Sequence, residues 1–491
     1  MTIRVALLAA ECEPWAKTGG LADVVDALAR ALGRLPEAGR DLAAPVDVFL
    51  PRYRSVSVPD GAETEPGLEI ADPAGGKPIT GSIVNVAADG YRLRLVDVPR
   101  AFDREALYDH PDDSWRFAVF CRLALAALRR DGTALDVLHV HDWHTGPALL
   151  DRARGEAAGD PFFARMAVMV TLHNLAYHGW TPADQLPQLG LRPGDRLAGP
   201  NPDGVDLLLT AITRSELANT VSPGFARESL TPEFGMGLDG TLRSLGDRYF
   251  GILNGIDPDV WDPATDEALA APYARGDLGG KAACRRDLLE RNGLDPDDDG
   301  VVLGMIGRLD PQKGFDLLAE GAADLVAGGA RIIVQGSGHA SLADPFRALA
   351  AANPRSVALI ERFDRAMARR IYAGADLFLM PSRFEPCGQG QMIALRYGTP
   401  PVVRRTGGLA DSVIDADERP GEGTGFVFDE ATPAALVGAV ERAAVLRRAD
   451  PGGWAALQDR GMGVDFRWDT GSAPKYLEAY RRAIRIRRGR G

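Results

Sequence analysis

Two series of short apolar runs constrain what this chain can fold into more than any other feature. The first comprises IRVALLAA, PVDVFLP, YRLRLVDVP, DVLHVHDW and AVMVTLHN; the second comprises VVLGMIGR, ARIIVQGSG, SVALIERF, ADLFLMPS, PPVVRR and GFVFDE. Runs that stay mostly apolar on successive residues predict strands covered on both faces, as in a parallel sheet. Amphipathic stretches such as PAALVGAVERAAVLRR follow or intervene and supply the covering helices. The predicted fold class is therefore α/β, with two doubly wound domains. A length of 491 residues suits two cores of ordinary size. The Gly, Asn and Pro density of YFGILNGIDPDVWDP breaks the rhythm and puts the boundary at Gly251, after a first domain of residues 1–250.

Nearly the same phrase occurs once in each series: KTGGLADVV from Lys17 to Val25, and RTGGLADSV from Arg405 to Val413. Unlike flanks and the lack of a short fixed period make these two local devices rather than a tandem repeat. After the first, LADVVDALARALGRL sets Leu21, Val24 or Val25, Leu28, Leu32 and Leu35 on one stripe, so Gly19 and Gly20 stand where a helix begins. Gly407 and Gly408 hold the same place after Thr406. Glycines there leave the backbone N–H groups and the positive end of the helix dipole open to an anion, and Lys17 and Arg405 add a charge beside each pair. Either copy alone reads equally as a turn whose glycines serve backbone geometry. Two copies favour a ligand shared by both domains, because open α/β sheets bind ligands at the carboxyl ends of their strands.

Other candidates cluster at strand ends. GRLDPQKGFD sets Arg308 and Lys313 across a turn after VVLGMI, a fork and a point charge suited to a diphosphate, or else incidental charges on a solvated loop. PSRFEPCGQG places Glu385 between a strand and a helix, where its carboxylate could accept sugar hydroxyls, balance charge developing at a sugar carbon, or simply face a helix dipole. HVHDWH puts His139 and His141 on one strand face, followed by Asp142 and His144; no HExxH helix or second ligand cluster accompanies them, which favours buried or sugar-contacting histidines over a metal. His173 in TLHN closes another strand, as a sugar donor or a satisfied core imidazole. QGSGH lacks the third glycine of a dinucleotide fingerprint, and DPDDDG has Ile306 where a calcium loop needs glutamate. RRAIRIRRGRG at the C-terminus reads as arginines complementing a helix end rather than as a nucleic-acid tail.

Composition narrows the classes further. A formal charge of −12 argues against a general polyanion binder, so no nucleic-acid partner is expected. Cys12, Cys121, Cys284 and Cys387 form no CxxC pair, which predicts neither disulfides nor a zinc knuckle and fits a reducing, cytoplasmic setting. The apolar run Val5 to Ala10 is shorter than a signal-peptide core, and no stretch has the length of a membrane span.

Taken together and in order, KTGGLADV, HDWH, TLHNLAYHG, TVSPGFARE, GILNGID, GRLDPQKG, PSRFEPCG and RYGTPPVVRRTGGLADSV resemble the bacterial glycogen synthase and plant starch synthase family. GTGFVFDE and FRWD with Tyr476 and Tyr480 extend the likeness over essentially the whole chain. The resemblance implies a family 5 glycosyltransferase of GT-B architecture, two Rossmann-like domains facing a central cleft, with 251–464 as the donor domain and 465–491 as a helix crossing back to the first. It implies transfer of glucose from ADP-glucose to the non-reducing end of an α-1,4-glucan, with retention of configuration, no cofactor and no essential metal. On the same ground Glu385, His173, Arg308, Lys313 and Asp142 are the catalytic group. Lys17, Gly19, Gly20, Asn254, Phe363, Cys387, Gly388, Thr406, Gly407 and Gly408 bind the donor, and Glu11 lies toward the acceptor. Ile393 stands where many retaining GT-B transferases carry a second carboxylate, which favours glycogen synthase over sucrose- or trehalose-type enzymes. Gln389 departs from the leucine usual in the family. The alternatives are a glucan-binding or regulatory protein that kept the fold and lost turnover, and a phosphorylase, whose pyridoxal phosphate lysine and longer chain are not in evidence. Base preference and oligomeric state are left open.

Overall fold

The computed structural model describes residues 2–37, 40–43, 45–198, 201–297 and 299–489. Asp298 of DPDDDG and Arg490 and Gly491 of the arginine-rich end lie outside the described residues. The chain divides into two compact units: one of Met1–Val221, Ala226–Ile252 and Trp468–Gly491, the other of Ser222–Phe225 and Leu253–Arg467. The short segment Ser222–Phe225, which a single cut at Gly251 leaves in the first domain, thus groups with the second unit. Its polar groups explain why: Ser222 Oγ donates to the Pro386 carbonyl and Gly224 N to the Asp411 carboxylate, both at 2.5 Å.

The first unit is built on a ten-stranded sheet whose main path runs Tyr249–Gly251, Leu217–Thr220, Ala167–Leu172, Val137–His141, Val5–Leu8, Val46–Pro51, Tyr91–Asp97, Ile79–Ala87 and Glu63–Thr64. The strands from Tyr249–Gly251 through Tyr91–Asp97 are parallel. Val5–Leu8, Val46–Pro51, Val137–His141 and Ala167–Leu172 are buried at every position, as unbroken apolar runs require. Ile79–Ala87 joins antiparallel to Tyr91–Asp97, a strand the apolar-run criterion passes over because its residues alternate between buried and part-exposed. The helix Gly20–Arg34 buries Leu21, Val24, Val25, Leu28 and Leu32, with Asp23 in its first turn and Arg34 in its last, both complementing its dipole. The final helix, Ala473–Gly489, belongs to this unit and buries Tyr476 and Tyr480.

The second unit holds a six-stranded parallel sheet in the order Val357–Ile360, Arg331–Gly338, Val302–Leu309, Leu377–Met380, Pro401–Arg404, Phe426–Phe428. In chain order this is 3-2-1-4-5-6, the Rossmann arrangement, and the parallel strands of the first unit begin in the same order. Leu303, Val334, Leu379, Phe346, Leu436 and Trp454 are among the residues packing its core. Gly336 and Gly338 of QGSGH extend Arg331–Gly338 as a strand. A Cβ at Gly336 would stand 2.4 Å from the Gly307 carbonyl oxygen and one at Gly338 2.5 Å from that of Leu309, so these glycines serve close strand pairing.

Candidate active site

Each sheet reverses its strand order once, and ligands of open α/β sheets bind outside the carboxyl ends of the strands at that point. In the first unit the reversal falls between Val5–Leu8 and Val137–His141, so the chain leaving these strands brings Glu11 and Asp142 to one edge. In the second it falls between Val302–Leu309 and Leu377–Met380, which delivers Arg308, Lys313 and Glu385. Most of the residues read from sequence therefore fall into two clusters, one in each unit, at positions that the topology dictates.

In the first unit's cluster Glu11 is buried and organises the loop before the helix Gly20–Arg34. Its carboxylate accepts from Thr18 N at 2.6 Å, Thr18 Oγ1 at 2.7 Å, Gly19 N at 3.0 Å and the Tyr108 hydroxyl at 2.7 Å. Tyr108 stacks near His144, whose ring lies on Trp143 at 4.0 Å between centroids. Lys17 is not a free cation: its Nζ sits 2.5 Å from Asp23 and 3.5 Å from Glu13. Gly19 and Gly20, by contrast, face open space, since a Cβ on either would meet nothing within 4 Å.

Asp142 is buried and holds an uncommon backbone conformation, φ 52° and ψ −171°, while its Oδ1 accepts from His173 N at 2.7 Å. Burial raises its pKa to about 7, against the hydrogen bonds from the His173 and Asn174 backbone. Burial likewise lowers His139, His144 and His173 to about 3, and His141 well below its ordinary value, so these imidazoles are neutral at pH 7. HVHDWH is engaged within the protein: His139 Nδ1 lies 2.9 Å from the Tyr480 hydroxyl, and His141 Nδ1 lies 3.0 Å from His173 Nε2. Among the described residues, no group of three or more His, Cys, Asp or Glu is placed to hold a metal ion.

The second unit's cluster centres on Glu385, buried with its carboxylate 2.6 Å from Lys313 Nζ and accepting from Ser382 Oγ at 3.0 Å. The loops carrying these groups are tied together by Arg383, which donates to both carboxylate oxygens of Asp316, and by Gln312 Nε2 on the Phe384 carbonyl at 3.1 Å. Arg308 is exposed, and its side chain makes no hydrogen bond or ion pair among the described residues. Gly407 and Gly408 press on the Glu385 loop: a Cβ on Gly407 would stand 2.0 Å from the Glu385 carbonyl oxygen, and one on Gly408 2.2 Å from that of Cys387. Gly407 also holds φ +45°, and Gly408 N donates to the Glu385 carbonyl at 3.0 Å. Thr406 is buried at the N-cap position of this turn, without a side-chain capping hydrogen bond. The helix that follows, Gly407–Ser412, has six residues against fifteen for its counterpart Gly20–Arg34, so its dipole is weaker.

Arg405 corrects the reading of the repeated phrase as two glycine pairs each with a spare charge. It is engaged by Asp429 at 2.7 Å and by Glu418, carboxylates from other segments that the sequence does not place beside it. Cys387 is buried next to Asn254, and burial pushes its thiol up to about 12, so it is an inert wall rather than a nucleophile. Gly388 has φ +72°, and Gln391 Nε2 donates to the Cys387 and Gly388 carbonyls. Gln389 sits part-exposed at the start of the helix Gly390–Arg396 and makes no side-chain cap. Phe363 stands apart, 70% exposed after the outer strand Val357–Ile360. Tyr108 and Ser382 complete the two carboxylate clusters; Ser382 lies in the quoted stretch PSRFEPCGQG, and Tyr108 has no signal in the sequence.

Two Rossmann-ordered sheets, each with a carboxylate cluster and a glycine turn at its switch point, are the arrangement of the GT-B glycosyltransferase class. Residues 4–244 match the starch synthase catalytic domain family and residues 300–444 match glycosyl transferases group 1. The chain is 42% identical over 493 residues to a glycogen synthase of Syntrophotalea carbinolica, covering 99% of each, and 40% identical to glycogen synthase 2 of Geobacter sulfurreducens, covering 99% and 100%. The catalytic domain of starch synthase IV from Arabidopsis thaliana, solved bound to ADP and acarbose, superposes with a TM-score of 0.90 at 33% identity, covering 99% of this chain and 100% of that one. The chain belongs to the glycogen synthase and starch synthase family.

Proposed function

We propose that the protein is a glycogen synthase that moves glucose from ADP-glucose to the non-reducing end of an α-1,4-glucan with retention of configuration. The observation that carries this is the Glu385–Lys313 pair at the switch point of the second sheet, with the exposed Arg308 on one of the two strands that form that switch point, in a chain of this family. Departure of a nucleoside diphosphate builds negative charge on the leaving oxygen while the sugar carbon becomes cation-like. Arg308 and Lys313 are the cations suited to the diphosphate, and Gly407 and Gly408 are assigned to the same donor site. Glu385, held rigid by Lys313 and Ser382, faces the glucose and balances its positive charge. With two side-chain cations at the diphosphate, the reaction is expected to run without an essential divalent metal.

In the first unit, the Glu11 loop with Lys17, Gly19 and Gly20 serves the donor phosphates and the acceptor, while His173 and Asp142 contact sugar. Asn254, Cys387, Gly388 and Thr406 shape the donor side of the second unit, and Phe363 is assigned to the base. A proton on Asp142 near neutral pH lets it donate as well as accept toward a hydroxyl.

The test is incorporation of glucose into glycogen by the purified protein from ADP-glucose and UDP-glucose in parallel, with and without EDTA. Transfer from ADP-glucose that survives EDTA is the expected result. Preference for UDP-glucose would keep the chemistry and overturn the base assignment. Glucan binding with no transfer from either donor would replace the enzyme by a binding protein.

A further inference from the structure

Buried imidazoles usually leave their proton position open, but here the hydrogen-bond inventory closes it. Thr171 Oγ1 donates to Asn219 Oδ1 at 2.7 Å, so the contact of 2.7 Å between the same hydroxyl and His139 Nε2 must be donated by the imidazole. The neutral His139 ring then has a bare Nδ1, which accepts from the Tyr480 hydroxyl at 2.9 Å. Asn219 Nδ2 in turn donates to the Tyr476 hydroxyl at 3.2 Å, so the chain of donors is consistent from end to end. His139 and His141 lie ring against ring, with centroids 4.3 Å apart, which holds His141 in place without a hydrogen bond between them.

His141 has one polar contact and one orphan. Its Nδ1 faces His173 Nε2 at 3.0 Å, whereas its Nε2 is buried with no partner among the described residues. A buried N–H with no acceptor is the rarer and costlier defect, so the proton belongs on Nδ1 and the bare nitrogen is the orphan. We infer that His141 is a positioning residue for His173: its Nδ1–H donates to His173 Nε2, which forces the single His173 proton onto Nδ1. His173 is half-buried, its backbone N–H is spent on Asp142, and its Nδ1 has no protein partner among the described residues. The device therefore presents an N–H donor, and not a lone pair, at the carboxyl end of Ala167–Leu172. This suits recognition of a hydroxyl oxygen on a sugar and would reject a group that must donate. The inference rests on the proposed sugar site for its purpose, though not for its geometry.

The experiment uses the intact protein labelled with 15N-histidine, whose seven histidines make assignment by single substitution practical. Long-range 15N–1H correlation at pH 7 should show His173 as the Nδ1–H tautomer. His141→Phe should release it to the Nε2–H form, while His141→Asn, whose amide N–H can stand in for Nδ1–H, should preserve the Nδ1–H form. In glucose transfer, His141→Phe should lower kcat on the order of 10²-fold, with His141→Asn restoring most of it. A wild-type His173 protonated on Nε2, or a tautomer indifferent to His141→Phe, would overturn the inference. If His141→Phe does not fold, His141→Asn with an altered tautomer would overturn it equally. Absence of any glucose transfer by the wild type would sink the proposed function while the tautomer measurement still decides this point.

Discussion

The two glycine pairs look alike in sequence and are unlike in their surroundings, and alanine substitution separates them. At Gly408 a new Cβ would lie 2.2 Å from the Cys387 carbonyl oxygen and 2.5 Å from Cys387 Cα. Ordinary contact begins near 3.4 Å, so about 1 Å of backbone displacement is needed, and both sides are backbone. Overpacking of this kind costs about 1–3 kcal/mol, and each kcal/mol lowers Tm by about 2–4 °C in a unit of this size. The displaced segment carries Glu385, whose carbonyl accepts from Gly408 N at 3.0 Å. A shift of about 1 Å at the reacting centre is worth on the order of 10²-fold in turnover. Gly408→Ala is therefore expected to lower both Tm and kcat. Gly20→Ala meets nothing within 4 Å, at the first residue of a helix, so its stability should be unchanged or raised by up to about 1 kcal/mol, with Tm no lower than that of the wild type. Its effect should appear as a higher KM for ADP-glucose. Calorimetry and initial rates on both variants decide: a Gly408→Ala protein with wild-type Tm and turnover within twofold would refute the claim that close packing positions Glu385.

Three further outcomes are expected. Glu385→Ala should lower kcat by about 10²–10³-fold with circular dichroism unchanged, and intact turnover would remove Glu385 from the chemistry. Arg308→Ala should raise KM for ADP-glucose several-fold more than Arg405→Ala, because Arg308 is unpaired and Arg405 is held by Asp429 and Glu418; equal effects in steady-state kinetics would contradict this. Acid should destabilise the first unit. His139, His144 and His173 are held near 3 by burial, so as pH falls below about 6.5 the unfolded chain binds protons the folded chain refuses, and urea midpoints should fall toward pH 3. Asp142, raised to about 7, works in the opposite sense between pH 7 and 4, so Asp142→Asn should lose stability more steeply with acid than the wild type.

How far the sequence reveals this molecule depends on range. Strands such as Val137–His141 and Ala167–Leu172 were legible because a strand buried on both faces must be apolar at nearly every position. Ile79–Ala87 was not, because its antiparallel, part-exposed register dilutes that signal. Glu385, Lys313 and Arg308 could be picked out as chemistry-bearing residues at strand ends, and the strand order explains their convergence. What sequence could not supply was pairing at a distance. Tyr108 is 97 positions from Glu11, and Tyr480 is 341 from His139, and no local pattern encodes either contact. The same blindness made Lys17 and Arg405 look like spare charges: Asp23 is near in sequence, but Asp429 and Glu418 reach Arg405 only through the fold.

The closing helix Ala473–Gly489 has a consequence for how the chain is made. Its Tyr476 and Tyr480 lie against His139 and Asn219 of the first sheet, yet they are translated after every strand of the second unit. The second unit has all its strands once Phe426–Phe428 has emerged and its flanking helices by Met462. The half translated first is thus the half finished last, and it must wait, with polar groups of its central strands unanswered, while the later half matures ahead of it.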